Sequence, residues 1–456
     1  MQRCLAIAAL TWKAAFRFRL FWVLTSLLLG SVVLLPLLLK DDGTARGFTQ
    51  ILLTYTLSTI TALLGLATLW LACGILARDI EECQLQIVAV KPIPRWQIWL
   101  GKWLGLVVLD LTLLAVAGSS VYALLHWRSS RLPERERAIL RNEIMVARAS
   151  MKPPTPDLEP YVQRAFEERV RENAVPPAEQ EELKKQLREM FKLGVQAIGP
   201  GVAKNWTLDL GFRKAVLRDE PLFVRLKFYV AQTNASGTYV CTWQIGPPGQ
   251  IRTMTMPMAA ESYHEFAIPP NLFDDQGRLF VRLINRENTT LVVPLEDGFE
   301  VLYREGGFGL NFIRGLLIIA CWLALLAAIG LASATFLSFP VAAFFSASLL
   351  FVILSSGTLS NVVTEGTVFG LDHESGKAAA GWLDLVLLPI FKGMLSIINL
   401  VKGFSPVDAL STGRSITWFQ VFRAIGQIVL FLGGIAAAAG MIILTRRELA
   451  TAQPQV

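Results

Sequence analysis

Residues 315–356 read GLLIIACWLALLAAIGLASATFLSFPVAAFFSASLLFVILSS, forty-two positions without a charge. A bilayer is crossed by about 20 apolar residues in a helix. The stretch is too long for one span, and Ser338-Phe339-Pro340 divides it into two. Working outward, Leu20–Leu39 and Gly47–Ala77 are also charge-free, Leu104–Leu125 carries only Asp110, and Ala424–Thr445 closes the series. The expectation is a polytopic α-helical membrane protein with six transmembrane helices. No cleavable signal peptide is expected, because no small-residue cleavage site precedes Lys40.

Composition agrees. The chain has 456 residues, 53% hydrophobic and 17% charged, against about 25% charged in soluble domains. That excludes a disordered chain and argues against a simple soluble enzyme. The charge is divided unevenly. Residues 127–308 hold 25 Lys+Arg against 24 Asp+Glu, whereas the remaining 274 residues hold 18 against 12. The excess in the flanks lies beside apolar runs, as in membrane anchors, so no nucleic-acid partner is expected. Arg3, Lys13, Arg17 and Arg19 precede the first span, Arg78, Lys91, Arg95 and Lys102 lie between spans two and three, and Arg446-Arg447 follow the last. With six spans all three groups share one side, which the positive-inside rule makes cytoplasmic, with both termini. Residues 127–308 then lie outside.

Three domains follow. The first is 1–126, spans one to three with a cytoplasmic loop at 78–103. The second is 127–308, an inserted α+β domain. The third is 309–456, spans four to six. In 357–416 the piece Trp382–Val401 carries Asp384, Pro389, Lys392 and Gly393, a poor full span and a reasonable re-entrant or interfacial hairpin.

The insert has two grammars. Up to about residue 200 it reads as short helices punctuated by prolines, with Leu183, Leu187 and Phe191 on one stripe. Over 204–304, runs at Asn205–Leu210, Phe223–Val230, Thr238–Ile245, Glu261–Ile268, Arg278–Asn285, Thr290–Pro294 and Phe299–Tyr303 alternate with turns such as Gly246-Pro247-Pro248-Gly249. That spacing predicts a β-sandwich or jelly roll, its core filled by Trp206, Phe228, Trp243, Phe266 and Phe280. Exposed aromatics on it would instead suit a sugar.

Catalytic equipment is sparse. There is no phosphate-cradling Gly-x-x-x-x-Gly-Lys-Ser/Thr loop and no Gly-x-Ser-x-Gly elbow. His126, His264 and His373 are far apart, and Asp372-His373-Glu374 offers too few ligands for a metal. The five cysteines match no zinc spacing, and Cys241 is alone in the insert, so that domain holds no internal disulfide. No catalytic residue, metal site or bound cofactor is expected. Asp110 is the one carboxylate well inside a span, suited either to pairing between helices or to a translocation path.

The stretch Arg78 to Gly105 reads RDIEECQLQIVAVKPIPRWQIWLGKWLG. Physically it is a short amphipathic helix with acids at its start, favoured by the helix dipole, broken at Pro92 and Pro94, with tryptophans anchoring the next span. Its acid pair, Lys-Pro-Ile-Pro-Arg and Gly-Lys resemble the permeases of ABC-2 type exporters. The resemblance covers residues 1–126 and 309–449. It implies that Arg78, Asp79, Glu81, Glu82, Lys91, Pro92, Arg95, Gly101 and Lys102 form the loop that docks on a separate ATPase. It also implies that residues 4–19 form an amphipathic elbow helix, with Leu5, Ala8, Trp12 and Phe16 on one face and Lys13 and Arg17 on the other. Phe404-Ser405-Pro406-Val407-Asp408 would belong to a re-entrant segment, and Arg446-Arg447-Glu448-Leu449 is a similar ending. On this resemblance two permease copies, or this chain and a homologue, sit in a bacterial plasma membrane, ATP and Mg are held by the partner ATPase, and a lipid, glycan, drug or peptide is exported. The insert between spans three and four departs from the family's short loop. The rival expectations are a membrane-anchored binding or scaffold protein whose sandwich holds a cell-envelope partner, and an intramembrane transferase.

Overall fold

The computed structural model describes residues 2–17, 19–38, 44–84, 93–172, 176, 180–211, 217–234, 236–354, 362–363, 382–401 and 404–447. In chain order these form α1 (Gln2–Arg17), α2 (Arg19–Leu38), α3 (Ala45–Glu81), α4 (Arg95–Ser130), α5 (Glu134–Glu143), β1 (Val146–Met151), α6 (Glu159–Glu172) and α7 (Gln180–Gln196). Strands follow: β2 (Ala197–Ile198), β3 (Ala203–Asp209), β4 (Leu222–Leu226), β5 (Tyr229–Val230), β6 (Thr238–Ile245), β7 (Arg252–Ala259), β8 (His264–Ile268), β9 (Arg278–Asn285), β10 (Leu291–Val292) and β11 (Phe299–Gly307). Then come α8 (Phe308–Ala334), α9 (Phe339–Leu354), α10 (Trp382–Val401), α11 (Pro406–Ser411) and α12 (Trp418–Arg446). Within α12, Ile425–Gly433 is wound as a π-helix.

The chain divides into two compact units: 1–147 with 307–456, and 148–306. In the first, four helices among the described residues are long and apolar enough to cross a membrane: Gly47–Glu81 of α3, α4, α8 and α12. They mark a membrane-embedded protein. The expected spans at 20–39 and in the second half of 315–356 fall on α2 and the shorter apolar α9. The break comes where expected: α8 ends at Ala334 and α9 starts at Phe339, with Pro340 in its first turn, where the missing N–H is no loss. Residues 382–401 form one helix through Pro389 rather than a hairpin.

Leu52, Leu53, Leu57, Ile60 and Leu64 of α3 share a buried core with Leu106, Leu109 and Leu113 of α4 and Leu323, Ala327 and Leu331 of α8. The helix α4 runs past the expected boundary at 127 to Ser130, and α5 also belongs to this unit. The second unit therefore begins near residue 148.

That unit is built on two four-stranded sheets, ordered β1-β11-β4-β8 and β3-β9-β6-β7, with a smaller sheet β2-β10-β5. One core joins both large sheets. The Trp206 ring on β3 stacks on Phe299 of β11 at 4.1 Å, and Trp243 of β6 meets Phe266 of β8 at 5.3 Å. Alternation sets the faces. On β9, Leu279, Val281 and Leu283 are buried, which turns Phe280 to the outer face, against the expectation that it fills the core. Three strands were not expected: β7, and β1 and the short β2 inside the stretch read as helical.

The β1 strand carries its charges on the sheet face opposite the core. Arg148 pairs with Glu265 of β8 at 2.6 Å, Glu300 of β11 accepts from Ser150 at 2.6 Å, and Arg225 of β4 lies 3.4 Å from Glu300. Arg148 and Glu300 are buried, and burying a charge is costly unless it is paired, as these are. The helices α6 and α7 form a small satellite core of Val162, Phe166 and Leu187.

Candidate coupling surface

The helix α1 lies against the start of α4, and two glycines make this contact. Gly101 and Gly105, one turn apart, leave a stripe of α4 without side chains. A Cβ at Gly101 would sit 2.7 Å from Ile7 Cβ and 3.0 Å from the Cys4 carbonyl. At Gly105 it would sit 2.6 Å from Thr11 Cβ and 2.8 Å from the Ala8 carbonyl. Small residues at i and i+4 thus let two helix backbones touch, the device used between membrane helices.

The buried face of α1 is Cys4, Ala8 and Thr11, flanked by Ile7, Trp12 and Phe16, with Trp12 and Phe16 edge to face at 4.8 Å. Leu5 was expected on that face but is 61% exposed, as Leu10 is. Helical spacing fits either rotation until the glycine stripe selects one. Lys13 is exposed; Arg17 closes the helix, its side chain lying outside the described set.

Five helix ends meet beside this contact, and charged side chains tie them. Lys102 of α4 is buried and donates to Asp79 Oδ2 at the end of α3. Glu81 Oε1 accepts from the Phe339 backbone N–H at 3.2 Å, placing a carboxylate on the positive N-terminus of α9. The Arg78 guanidinium lies 5.2 Å from the centre of the Phe339 ring. Arg95, at the start of α4, donates through Nη1 to the carbonyls of Leu444, Thr445 and Arg447 at 3.0, 3.1 and 2.7 Å. These are orphan acceptors of the α12 C-terminus, and a cation suits that end of the dipole. Arg447 Nη1 does the same for α8, donating to the Thr335 carbonyl at 2.6 Å. Trp99 is fully buried against Gly440 of α12, where a Cβ would sit 2.9 Å from its Nε1.

The residues singled out in sequence thus separate into two sets. Asp79, Glu81, Arg95, Gly101 and Lys102 are engaged by neighbouring helices. Glu82 is exposed and accepts from the Gln84 amide at 2.7 Å, its one side-chain partner among the described residues. Beside it Cys83 is exposed and takes a left-handed backbone (φ 60°) at the C-terminal turn of α3, and Trp96 is 47% exposed. Lys91 and Pro92 lie outside the described residues. Sequence reasoning took Phe339 only as part of a helix break, Trp99 as an interfacial anchor although it is fully buried, and Arg447 as a topology marker and family-like ending; it missed Gly440, and no local pattern flags these partnerships, which are distant in the chain.

Asp110 is apart from this surface, eight residues along α4 from Lys102, or roughly 12 Å. It is buried, and Oδ1 accepts from Thr68 of α3 at 2.8 Å. Thr68 also donates within its helix to the Leu64 carbonyl at 2.7 Å, so its one hydroxyl proton is shared. The geometry places Asp110 at a contact between α3 and α4. Among the described residues no group of three or more His, Cys, Asp or Glu side chains is placed to hold a metal. Asp372, His373 and Glu374 lie outside the described set.

Comparison with protein-family models, with curated proteins and with solved structures returned no match to this chain.

Proposed function

We propose that the chain is the membrane subunit of an ABC exporter, with six spans, cytoplasmic termini and an extracytoplasmic insert. A separate ATPase holds ATP and Mg and docks at residues 78–102. A second copy or a homologue completes the translocation path, and the cargo class is a lipid, glycan, drug or peptide. The observation that carries the proposal is the cluster of helix ends around that stretch. A docked subunit pressing on the exposed turn at Glu82 and Cys83 acts on the end of α3. From there Asp79–Lys102 passes the load to α4, Glu81 to α9, Arg95 from α4 to α12, and Arg447 to α8. The helix α1, held on the Gly101/Gly105 stripe, moves with α4. This is what a nucleotide-driven switch needs: a bistable bundle biased at one end.

The test is purification of the full chain with a candidate ATPase subunit and measurement of association and ATP turnover. Glu82→Lys is expected to weaken association or to uncouple hydrolysis from transport while leaving the bundle's thermal transition unchanged. A fully coupled complex carrying this reversal would remove the docking assignment. Arg95→Glu is less informative, because it places a carboxylate among the α12 carbonyls and damages the bundle itself.

A further inference from the structure

The β-sheet unit has one open strand edge facing a pocket, and the chain's own covering of that edge is chemically unable to pair with it. Among the described residues the strand β3 borders only β9. Its register pairs Ala203 with Ile284 and Asp209 with Arg278. Asn285 N–H donates to the Val202 carbonyl at 3.1 Å, and Leu210 N–H to the Gly277 carbonyl at 2.8 Å. Antiparallel ladders bond at every second residue. The N–H and C=O groups of Lys204, Trp206 and Leu208 therefore point at β9, and those of Asn205 and Thr207 point to the open side. Among the described residues these outward groups meet no backbone partner.

The segment Pro153-Pro154-Thr155-Pro156 lies across from this edge. It is anchored before by Lys152, which donates to the Glu296 carbonyl, and after by Asp157, whose Oδ1 accepts from Glu159 N–H at 3.1 Å. Three of its four residues have no N–H, so it cannot complete the β3 ladder. Between strap and strand lies a pocket of about 300 Å³, lined among others by Asn205, Thr207, Trp206, Phe299 and Lys204. That volume is at the small end for ligand sites and matches a few residues of extended chain. The opposite edge of the same sheet, β7, carries Pro257, a usual guard against strand addition; β3 has none.

Lys204 adds a charge preference. Its Nζ donates to the Val195 carbonyl at 2.6 Å and sits 5.6 Å from the Trp206 ring centre, with no carboxylate partner among the described residues. Burial lowers its pKa, which a bound carboxylate would reverse.

We propose that the β3 edge and the proline strap bind an extended peptide by strand addition, an apolar side chain entering the pocket beside Trp206 and Phe299 and a carboxylate meeting Lys204. Main-chain hydrogen bonds supply affinity and the pocket supplies selection, as in other strand-addition sites. The proposal does not rest on the ATPase assignment.

The test uses the full chain in lipid nanodiscs against a synthetic library of ten-residue peptides. One arm has an internal Glu and an amidated C-terminus, the other a free C-terminal carboxylate and no acidic side chain. Saturable binding is expected in one arm, which identifies the source of the carboxylate. N-methylation along the best peptide is expected to weaken binding at least tenfold at every second residue only. Thr207→Pro, tolerated on an open edge, is expected to weaken it similarly, and Lys204→Met to erase the difference between acid and amide. Absence of saturable peptide binding, tolerance of N-methylation at all positions, or binding unchanged in Thr207→Pro would overturn the proposal. The N-methyl series is read on the unmodified protein, so a misfolded variant cannot obscure the result.

Discussion

If the glycine stripe holds α1 on α4, then Gly105→Ala should open that contact. The new methyl carbon would lie 2.6 Å from Thr11 Cβ and 2.8 Å from the Ala8 carbonyl oxygen. Thr11 cannot turn away freely, because its hydroxyl donates to the Ile7 carbonyl at 3.0 Å, and the Ala8 oxygen is backbone. Relief requires the helices to separate. Overpacking of this kind costs about 1–3 kcal/mol, and a backbone clash belongs at the upper end. The helix α4 is formed whether or not α1 is docked, so alanine's better helix propensity cancels and the cost falls on docking: about 2 kcal/mol or more, at least roughly thirtyfold in the opening equilibrium. Cys4 is buried in this contact, so its maleimide labelling rate reports the opening. The assay uses a Cys83→Ser background, since Cys83 is exposed. Labelling of Cys4 is expected to accelerate at least about thirtyfold. Gly194→Ala serves as control, because a Cβ there meets nothing within 4 Å. Equal Cys4 labelling in Gly105→Ala and its parent would refute the glycine-stripe argument.

Three other outcomes follow from the structure. Arg148→Met removes the ion-pair partner of Glu265 on a largely buried sheet face and is expected to destabilise the β-sheet unit by about 3 kcal/mol, read as a lowered thermal transition; a loss under 1 kcal/mol would show that the pair is not what keeps the carboxylate there. Cys83→Gly relieves a left-handed non-glycine backbone and is expected to stabilise the end of α3 by about 1 kcal/mol, seen as slower amide exchange at Glu82; unchanged or faster exchange counts against it. Burial and the nearby Glu287 push the Cys241 thiol up from an ordinary 9 to about 12. The raised value means that its contribution to stability is complete below pH 9 and is lost as pH rises from 9 toward 12. Alkylation of Cys241 in the folded chain should stay negligible at pH 9 and appear only on unfolding.

The apolar helices were legible because a charge-free run of membrane length has few other uses, and Ser338-Phe339-Pro340 marked its break. The strands of the sandwich were legible where alternation was clean, as in Thr238–Ile245 and Arg278–Asn285. The strand β1 was hidden because Arg148 and Ser150 read as solvated, while their partners Glu265 and Glu300 come from strands more than a hundred residues on. Pro257 and alternating Thr and Met disguised β7. Phe280 was assigned to the core by size, but the register with Leu279 and Val281 turns it out. At the coupling surface the charged residues were visible and their engagement was not. The carbonyl that Arg95 holds on Leu444 is 349 residues away, and the N–H that Glu81 caps on Phe339 is 258 away. A charge aimed at a partner protein and a charge aimed at a distant helix end look alike in one dimension.

The most direct measurement is crosslinking from the native Cys83, which is exposed at the turn beside Glu82. A photoreactive maleimide on Cys83, activated in membranes from cells expressing the full chain, is expected to capture an ATP-binding subunit identifiable by mass spectrometry. Nucleotide should change the yield. Labelling of Cys83 from the extracytoplasmic side of intact cells, or an efficient crosslinker that never captures an ATP-binding chain, would contradict the account.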